Sequence, residues 1–269
     1  MPVGVVDVAR SAGRTAVGRP SAEGGRVAGK AIEVAVGLAV SGEVDGIVTA
    51  PVSKESLALA GYGMVGHTEL LARLTGTRTY AMMIVRKQLR IVFATTHVAL
   101  RHVAGKLTRR LLLNKIKLAW EYLDLYIGIP DARIGITCLN PHCGEGGRLG
   151  TEEKRIIEPA VRSAKRLGIR VVGPYPADTV YQPAVAGGFD AIVAMYHDQG
   201  IIPLRLGGYD DVVNITIGIP CIRTSPGHGT AFDIVGKTPA SEKSMVKAIT
   251  ECAGIAKRLR NARRIQRRK

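Results

Sequence analysis

Residues 191–200 read AIVAMYHDQG: an apolar run, Ala191–Met195, followed by a tyrosine and then His197 where the chain must turn. A short, wholly apolar run bounded by turn residues is the pattern of a strand buried on both faces of a sheet. The pattern occurs twice more. Ile91–Thr95 leads into His97 in IVFATTH, and Ile134–Leu139 leads into His142 in IGITCLNPH. Three of the six histidines thus stand just beyond a strand-like run. In open parallel sheets ligands bind outside the carboxyl ends of the strands. Three imidazoles gathered on that edge would form an open ligand set for a divalent metal. A single histidine after a strand has an ordinary structural reading as a hydrogen-bonded element end. Three in the same relation point to an enzyme.

Outward from these runs the chain alternates helix and strand, which predicts an α/β protein with a largely parallel sheet. Gly24–Val40 has apolar residues at helical spacing and ends near Gly42, and VDGIVTAP is a strand stopped by Pro51. Short helices are expected around Lys54–Ala60 and Glu69–Leu74. TYAMMIV and LRIVFATT form an adjacent strand pair with hairpin potential, and Thr108–Leu125 is a long amphipathic helix holding the one tryptophan. Thr151 is a plausible N-cap, with Glu152 and Glu153 in the first turn of a helix running to Leu167. Strands are expected at Arg170–Val172 and Val212–Ile217, and a last helix from Ser241. No repeat or low-complexity linker divides the chain, so any domain division has the chain passing back and forth.

The 269 residues suffice for one large α/β domain or two smaller ones sharing a cleft. No apolar run approaches the roughly 20 residues that span a bilayer, and the N-terminus lacks a signal pattern, so a cytoplasmic location is expected. The four cysteines contain no C-x-x-C pair and read as reduced thiols; Cys138 and Cys143 flank His142 without two further ligands at finger-like spacing. Of the net charge of +16, eight cations lie in the tail Lys257–Lys269. That tail reads either as a nucleic-acid contact or as a solvated helix end that offsets the helix dipole. No aromatics interleave with it to stack on bases, which favours the second reading. The remaining positive charge suits an anionic small substrate. Scarce Asn and Gln hint at a thermophilic source.

Four further segments carry chemistry. GHTE, Gly66–Glu69, sets His67 and Thr68 just before a helix, where free backbone N–H groups meet an anion or Thr68 simply caps. YHDQG sets Asp198 beside His197, giving a carboxylate that can orient the imidazole or accept a proton. Asn214 and Arg223 follow, ahead of a turn-rich loop from Ser225 to Gly236, and Arg205 lies eight residues past His197. Arginine suits bidentate capture of carboxylate or phosphate. For either arginine alone, a surface salt bridge is the plainer reading.

Together the segments TAPVSKE, GHTELLA, ATTHVALR, LNPHCGEGGRLGTEE, GPYPADT, AMYHDQG, VNITIGIPCIRTS and HGTAFDIVGK resemble, in order, the 4-hydroxythreonine-4-phosphate dehydrogenase family of vitamin B6 biosynthesis. The resemblance spans about Gly42 to Ala240. It implies an isocitrate/isopropylmalate dehydrogenase-like fold: two α/β/α domains with a cleft between them, residues 1–62 with 206–269 on the cofactor side and 63–205 on the metal and dimer side. It also implies an obligate homodimer with a shared active site. The implied metal ligands are His97, His142 and His197, for zinc, magnesium or cobalt, with the third donated by the other subunit. The implied substrate contacts are His67, Thr68, Asn214 and Arg223, with Arg205 where the family usually has a phosphate-binding lysine. The HGTAFDIVGK loop implies that His228, Gly229, Thr230, Ala231 and Asp233 bind NAD or NADP. Lys54, in the family's Thr-x-Pro-x-x-Lys motif, is a candidate for proton transfer or anion binding; an exposed lysine opening a helix is the plainer alternative. The implied reaction is oxidative decarboxylation of 4-phosphooxy-L-threonine to 3-amino-2-oxopropyl phosphate.

Departures from the family pattern qualify this. Arg205 keeps the charge of the usual lysine but changes reach and geometry. Gly227 replaces an acidic residue in the usual D-H-G-T-A. The family's opening strand and G-D-P-x-G-I-G-P-E segment lie upstream of the position matching Met1, from which weakened NAD placement and low turnover are expected. Three functional classes therefore stand: the B6 enzyme or a 4-phospho-D-threonate/erythronate dehydrogenase of sugar-acid catabolism; a non-catalytic ligand-binding homologue; and a nucleic-acid-associated protein acting through its tail, the least favoured.

Overall fold

A computed structural model describes residues 4–9, 17–208 and 210–266. Helix α1, Ala22–Ser41, begins where the Ser21 hydroxyl accepts from Gly24 N–H and ends at Gly42. Strand β1, Gly46–Val48, is followed by α2, Lys54–Leu59, capped by Ser53, and α3, His67–Leu74. The hairpin of β2, Ala81–Arg86, and β3, Leu89–Phe93, forms as expected. Helix α5, Arg109–Tyr122, continues in a π-helical turn to Ile127. Then come β4, Ile134–Thr137; α6, Glu158–Arg166; β5, Val171–Tyr175; α7, Ala177–Val185; and β6, Ala191–Ala194. The chain ends in α8, His197–Arg205; β7, Val212–Ile217; β8, Ile222–Pro226; and α9, Lys243–Gln266. Helix α4, Leu100–Lys106, has no counterpart in the sequence reading. Its single buried position, Val103, gives no readable period.

The strands form one sheet in the order β1-β8-β7-β2-β3-β6-β4-β5. The largely parallel sheet of the sequence reading is corrected here to a mixed one. Strands β3, β6, β4 and β5 are mutually parallel, whereas β2, β7 and β8 pair antiparallel along the middle. The short β7–β8 connection adds an antiparallel pair to the expected β2–β3 hairpin, because two tightly joined strands must run in opposite directions, and β2 and β7 join the two hairpins antiparallel. The lobe boundary expected near residues 62 and 206 falls between β2 and β7, which are hydrogen-bonded from Ala81–Ile217 to Arg86–Val212. Any two-lobe division of the chain therefore shares a continuous sheet.

Side chains alternate across that sheet with period two. From β2, β3 and β6, Met83, Val85, Val92 and Val193 pack with Leu112 and Ile116 of α5 and Ile255 of α9. Their neighbours Ile84, Ile91, Phe93 and Ile192 face the other way, toward Leu204 of α8 and Val180 of α7. A third cluster joins α1, α2 and α3 to β1 through Ile32, Val36, Leu57, Leu70 and Ile47. The result is helices on both faces of a sheet. The basic tail is partly docked: Arg258 Nε donates to Tyr126 O at 2.9 Å and Arg260 pairs with Asp45. All four cysteines are free thiols. Among the described residues, no helix is long and apolar enough to cross a membrane.

Candidate active site

Strands β3 and β6 are parallel neighbours, and their backbones remain paired past the strand ends, with Thr95 N–H donating to Met195 O at 3.2 Å. The two chains leave the sheet side by side, and this sets His97 against His197 with ring centroids 5.9 Å apart. Two imidazoles at that separation can share one ion between their ring nitrogens. Asp198 Oδ1 lies 2.6 Å from His197 Nδ1, so it accepts from an Nδ1–H tautomer and leaves Nε2 as the ligating atom. Burial pushes the His97 imidazole below its ordinary pKa, with help from the nearby Lys54 ammonium. A neutral ring is the form that binds metal.

His142 does not join them. Among the described residues no group of three His, Cys, Asp or Glu side chains is placed to hold a metal. The expected three-histidine cluster on one edge is thus not formed within one chain, and the pair that does form differs from the one the resemblance implies. The reason is local. After β4 the chain enters a run with left-handed backbone, His142 φ 49°, Cys143 φ 53°, Gly144 φ 77°, Glu145 φ 42° and Gly146 φ 71°, which leaves His142 exposed. Such a run is costly for non-glycine residues, and Glu153 holds it in place. This carboxylate, 2% exposed, accepts from Leu139 N–H at 2.9 Å and Asn140 N–H at 2.8 Å, and from Asn140 Nδ2 at 3.0 Å. A Cβ on Gly144 would stand 2.8 Å from Glu153 Oε2 and 2.7 Å from Gly150 O, so only glycine fits. Glu153, read from sequence as a first-turn dipole partner, is instead the organiser of the loop.

His97 and His197 open onto a cleft of about 290 Å³ whose walls also include Lys54, His67, Thr68, Arg205, Asn214 and Arg223, with His228 and Gly229 at its edge. Most of the expected substrate and catalytic residues thus meet in one place. Thr230, Ala231 and Asp233 lie beyond the cleft wall; Ala231 turns the chain with φ 49° and Asp233 is exposed. Arg223, expected as a substrate contact, is only 2% exposed. Its Nη1 donates to Thr216 Oγ1 at 3.1 Å and its Nη2 to Thr49 Oγ1 at 2.7 Å, with Thr68 Oγ1 3.3 Å from Thr216 Oγ1. No carboxylate among the described residues forms an ion pair with it, and burial, opposed by the weaker effect of the Glu69 charge, lowers its pKa to about 10. Arg223 Nε and Asn214 Oδ1 are buried atoms without a hydrogen-bond partner among the described residues, a state that native proteins rarely tolerate outside ligand sites. His67 is held neutral, its pKa lowered to about 3 by burial and by Arg223.

Residues the sequence reading did not single out complete the site. Glu69 lines the cleft and its Oε2 accepts from Gly66 N–H at 3.0 Å, fixing the start of α3. Gln199, 9% exposed, ties β4 to α8: its Oε1 accepts from Thr137 Oγ1 and Met195 N–H, both at 2.7 Å, and its Nε2 donates to Cys138 O at 2.8 Å. Its place two residues after His197 was the available signal. Gly227, where the family has an acid, has no room for one. A Cβ there would lie 2.5 Å from Val212 Cγ1, while Arg205 Nη2 reaches Gly227 O at 3.5 Å.

Residues 2–252 match the family described as pyridoxal phosphate biosynthetic protein PdxA. The 4-hydroxythreonine-4-phosphate dehydrogenase of Desulfosudis oleivorans is 46% identical over 86% of this chain and 69% of its own length. The D-threonate 4-phosphate dehydrogenase of Pectobacterium atrosepticum is 47% identical over 85% of this chain and 70% of its own. A crystal structure of 4-hydroxythreonine-4-phosphate dehydrogenase from Klebsiella pneumoniae superimposes with a TM-score of 0.80 at 45% identity, covering 89% of this chain and 73% of that one. A match across most of the chain, in sequence and in fold, places the protein in the pyridoxal phosphate biosynthetic PdxA family.

Proposed function

We propose that this chain catalyses the oxidation and decarboxylation of 4-phosphooxy-L-threonine to 3-amino-2-oxopropyl phosphate, using NAD or NADP and a divalent metal, in the cytoplasm. The observation that carries the reading is the meeting of Arg223 and Asn214, with unsatisfied buried atoms, and the His97–His197 pair in one cleft. A phosphate on the Arg205–Arg223 side would meet the Arg223 guanidinium, which forms no ion pair with a carboxylate among the described residues. Neutral His67 and the Thr68 hydroxyl supply hydrogen bonds without adding charge. Lys54, whose Nζ would lie 3.8 Å from a Cβ on Gly66, is the group placed to hold or pass a proton beside His97. Asp198 keeps His197 in one tautomer. When bound, the divalent ion supplies Lewis-acid polarisation and the nicotinamide supplies a hydride acceptor.

His97 and His197 fit a metal as two ligands, and His142 from a second copy of the chain would complete a shared set, in keeping with a homodimer. The loop of His228, Gly229, Thr230, Ala231 and Asp233 is assigned to the cofactor, on a lobe of residues 1–62 and 206–269 that faces a metal lobe of residues 63–205.

A second reading, oxidation of 4-phospho-D-threonate, is favoured by the similarity to the Pectobacterium enzyme. Both acids offer a phosphate and a secondary alcohol, and they differ at an amine against a hydroxyl. Initial rates of NADH formation with each acid, in the presence of a divalent metal, separate the two. A higher kcat/KM for the amino acid supports the first reading, and formation of NADH with neither acid overturns both.

A further inference from the structure

On the other side of Thr68, Glu69, Met82 and His97 from the cleft lies a second cavity of about 300 Å³, also walled by Arg78, Thr79, Thr96, Asn114 and Lys115. The four residues named first line both chambers. Lys115 sits on α5, half-buried. Its Nζ donates to Tyr80 O at 2.5 Å and lies 5.8 Å from the Tyr80 ring centroid. No carboxylate pairs with it among the described residues, and Arg78 likewise has neither ion pair nor hydrogen bond there. The one carboxylate of the wall, Glu69, is engaged by Gly66 N–H. The exposed Arg78, the half-buried Lys115 and the neutral side chains of Thr79, Thr96 and Asn114 therefore line a cavity that has His97 in its wall, and Lys115 is partly desolvated with a carbonyl and an aromatic ring, but no carboxylate among the described residues, as its partners.

We propose that this chamber is a second anion subsite, in which Lys115 and Arg78 bind the carboxylate of a substrate whose phosphate lies against Arg205 and Arg223. The assignment rests on the functional reading above and adds a specificity determinant to it. A ligand charged at both ends would reach from one chamber to the other with its alcohol carbon near His97, a residue of both walls. Burial lowers the Lys115 amine to a pKa of about 8, so its charge is sensitive to what occupies the chamber. An anion beside it would raise that pKa again.

Calorimetric titration of the purified protein with 4-phosphooxy-L-threonine, with its carboxamide and with inorganic phosphate tests this. Lys115→Met should weaken binding of the acid about tenfold, and Arg78→Ala should act in the same direction. Binding of the carboxamide and of phosphate should change less than about twofold, equivalent to roughly 0.4 kcal/mol. Lys115→Arg, which keeps the charge, should retain most of the affinity for the acid. Retained phosphate binding reports that each variant is folded. Unchanged affinity for the acid in both Lys115→Met and Arg78→Ala overturns the subsite alone. A wild-type protein that binds phosphate but neither phosphorylated acid overturns the functional reading, and this assignment with it.

Discussion

Arg223 is a strand residue whose buried guanidinium bonds to threonines and forms no ion pair with a carboxylate among the described residues. Keeping a charge there costs free energy that only a ligand anion offsets well. Arg223→Ala is therefore expected to weaken binding of the phosphorylated substrate by roughly 2–5 kcal/mol, measured calorimetrically. Arg223→Lys is not expected to restore it, because an ammonium cannot reach Thr49 and Thr216 together. Unaltered binding in Arg223→Ala would move the phosphate site elsewhere. His67 gives a second test. Its pKa falls from 6.5 to about 3 in the fold, so below pH 6.5 the unfolded chain takes up a proton that the folded chain refuses. Its contribution to stability is complete above pH 6.5 and declines as the pH falls toward 3. The His67 ring resonances should show no titration between pH 5 and 8 by NMR; a midpoint near 6.5 would contradict the buried environment.

At the scale of elements, the strands were legible because a buried strand is a local apolar run and its end is marked by a turn. The His97–His197 pairing followed from two such runs lying side by side. The partners of Arg223 were not legible. Thr49 is 174 residues away in sequence, and its place in the Thr-x-Pro-x-x-Lys motif gives no sign of which side chain it meets. Glu153 was misread for the same reason, since a carboxylate in a first helical turn looks like a dipole partner until the loop it binds is folded against it. Glu153→Ala leaves two partly buried backbone N–H groups without their acceptor and should destabilise the protein by roughly 1–3 kcal/mol, seen as a lower Tm and faster hydrogen exchange at Leu139 and Asn140. A Tm within experimental error of wild type would mean that the loop is held otherwise. Gly227→Asp, which restores the residue usual in the family, should itself destabilise by about 1–3 kcal/mol through its clash with Val212. Val212→Ala should relieve part of that cost, a coupling that two independent sites would not show.

For the whole molecule, the question is how the proposed metal site, with His97 and His197 on one chain, would be completed. If His142 comes from a second copy, mixing His97→Ala with His142→Ala protein creates hybrid dimers in which one site is intact, and activity should partly return. Mixing His97→Ala with His197→Ala should restore nothing, because both ligands belong to the same chain's half of the site. The opposite pattern, recovery only in the second mixture, would assign His197 rather than His142 to the partner.

The proposed reaction is oxidation and decarboxylation of a phosphorylated hydroxy acid in this cleft. The most direct measurement is the ratio of NADH to CO2 released from 4-phosphooxy-L-threonine by purified protein with a divalent metal, repeated with Arg223→Ala. Equal amounts of the two products are expected from the wild-type chain, and loss of both together in the variant at substrate concentrations that saturate the wild type. NADH without CO2, or equal yields undiminished in the variant under the same conditions, would contradict it.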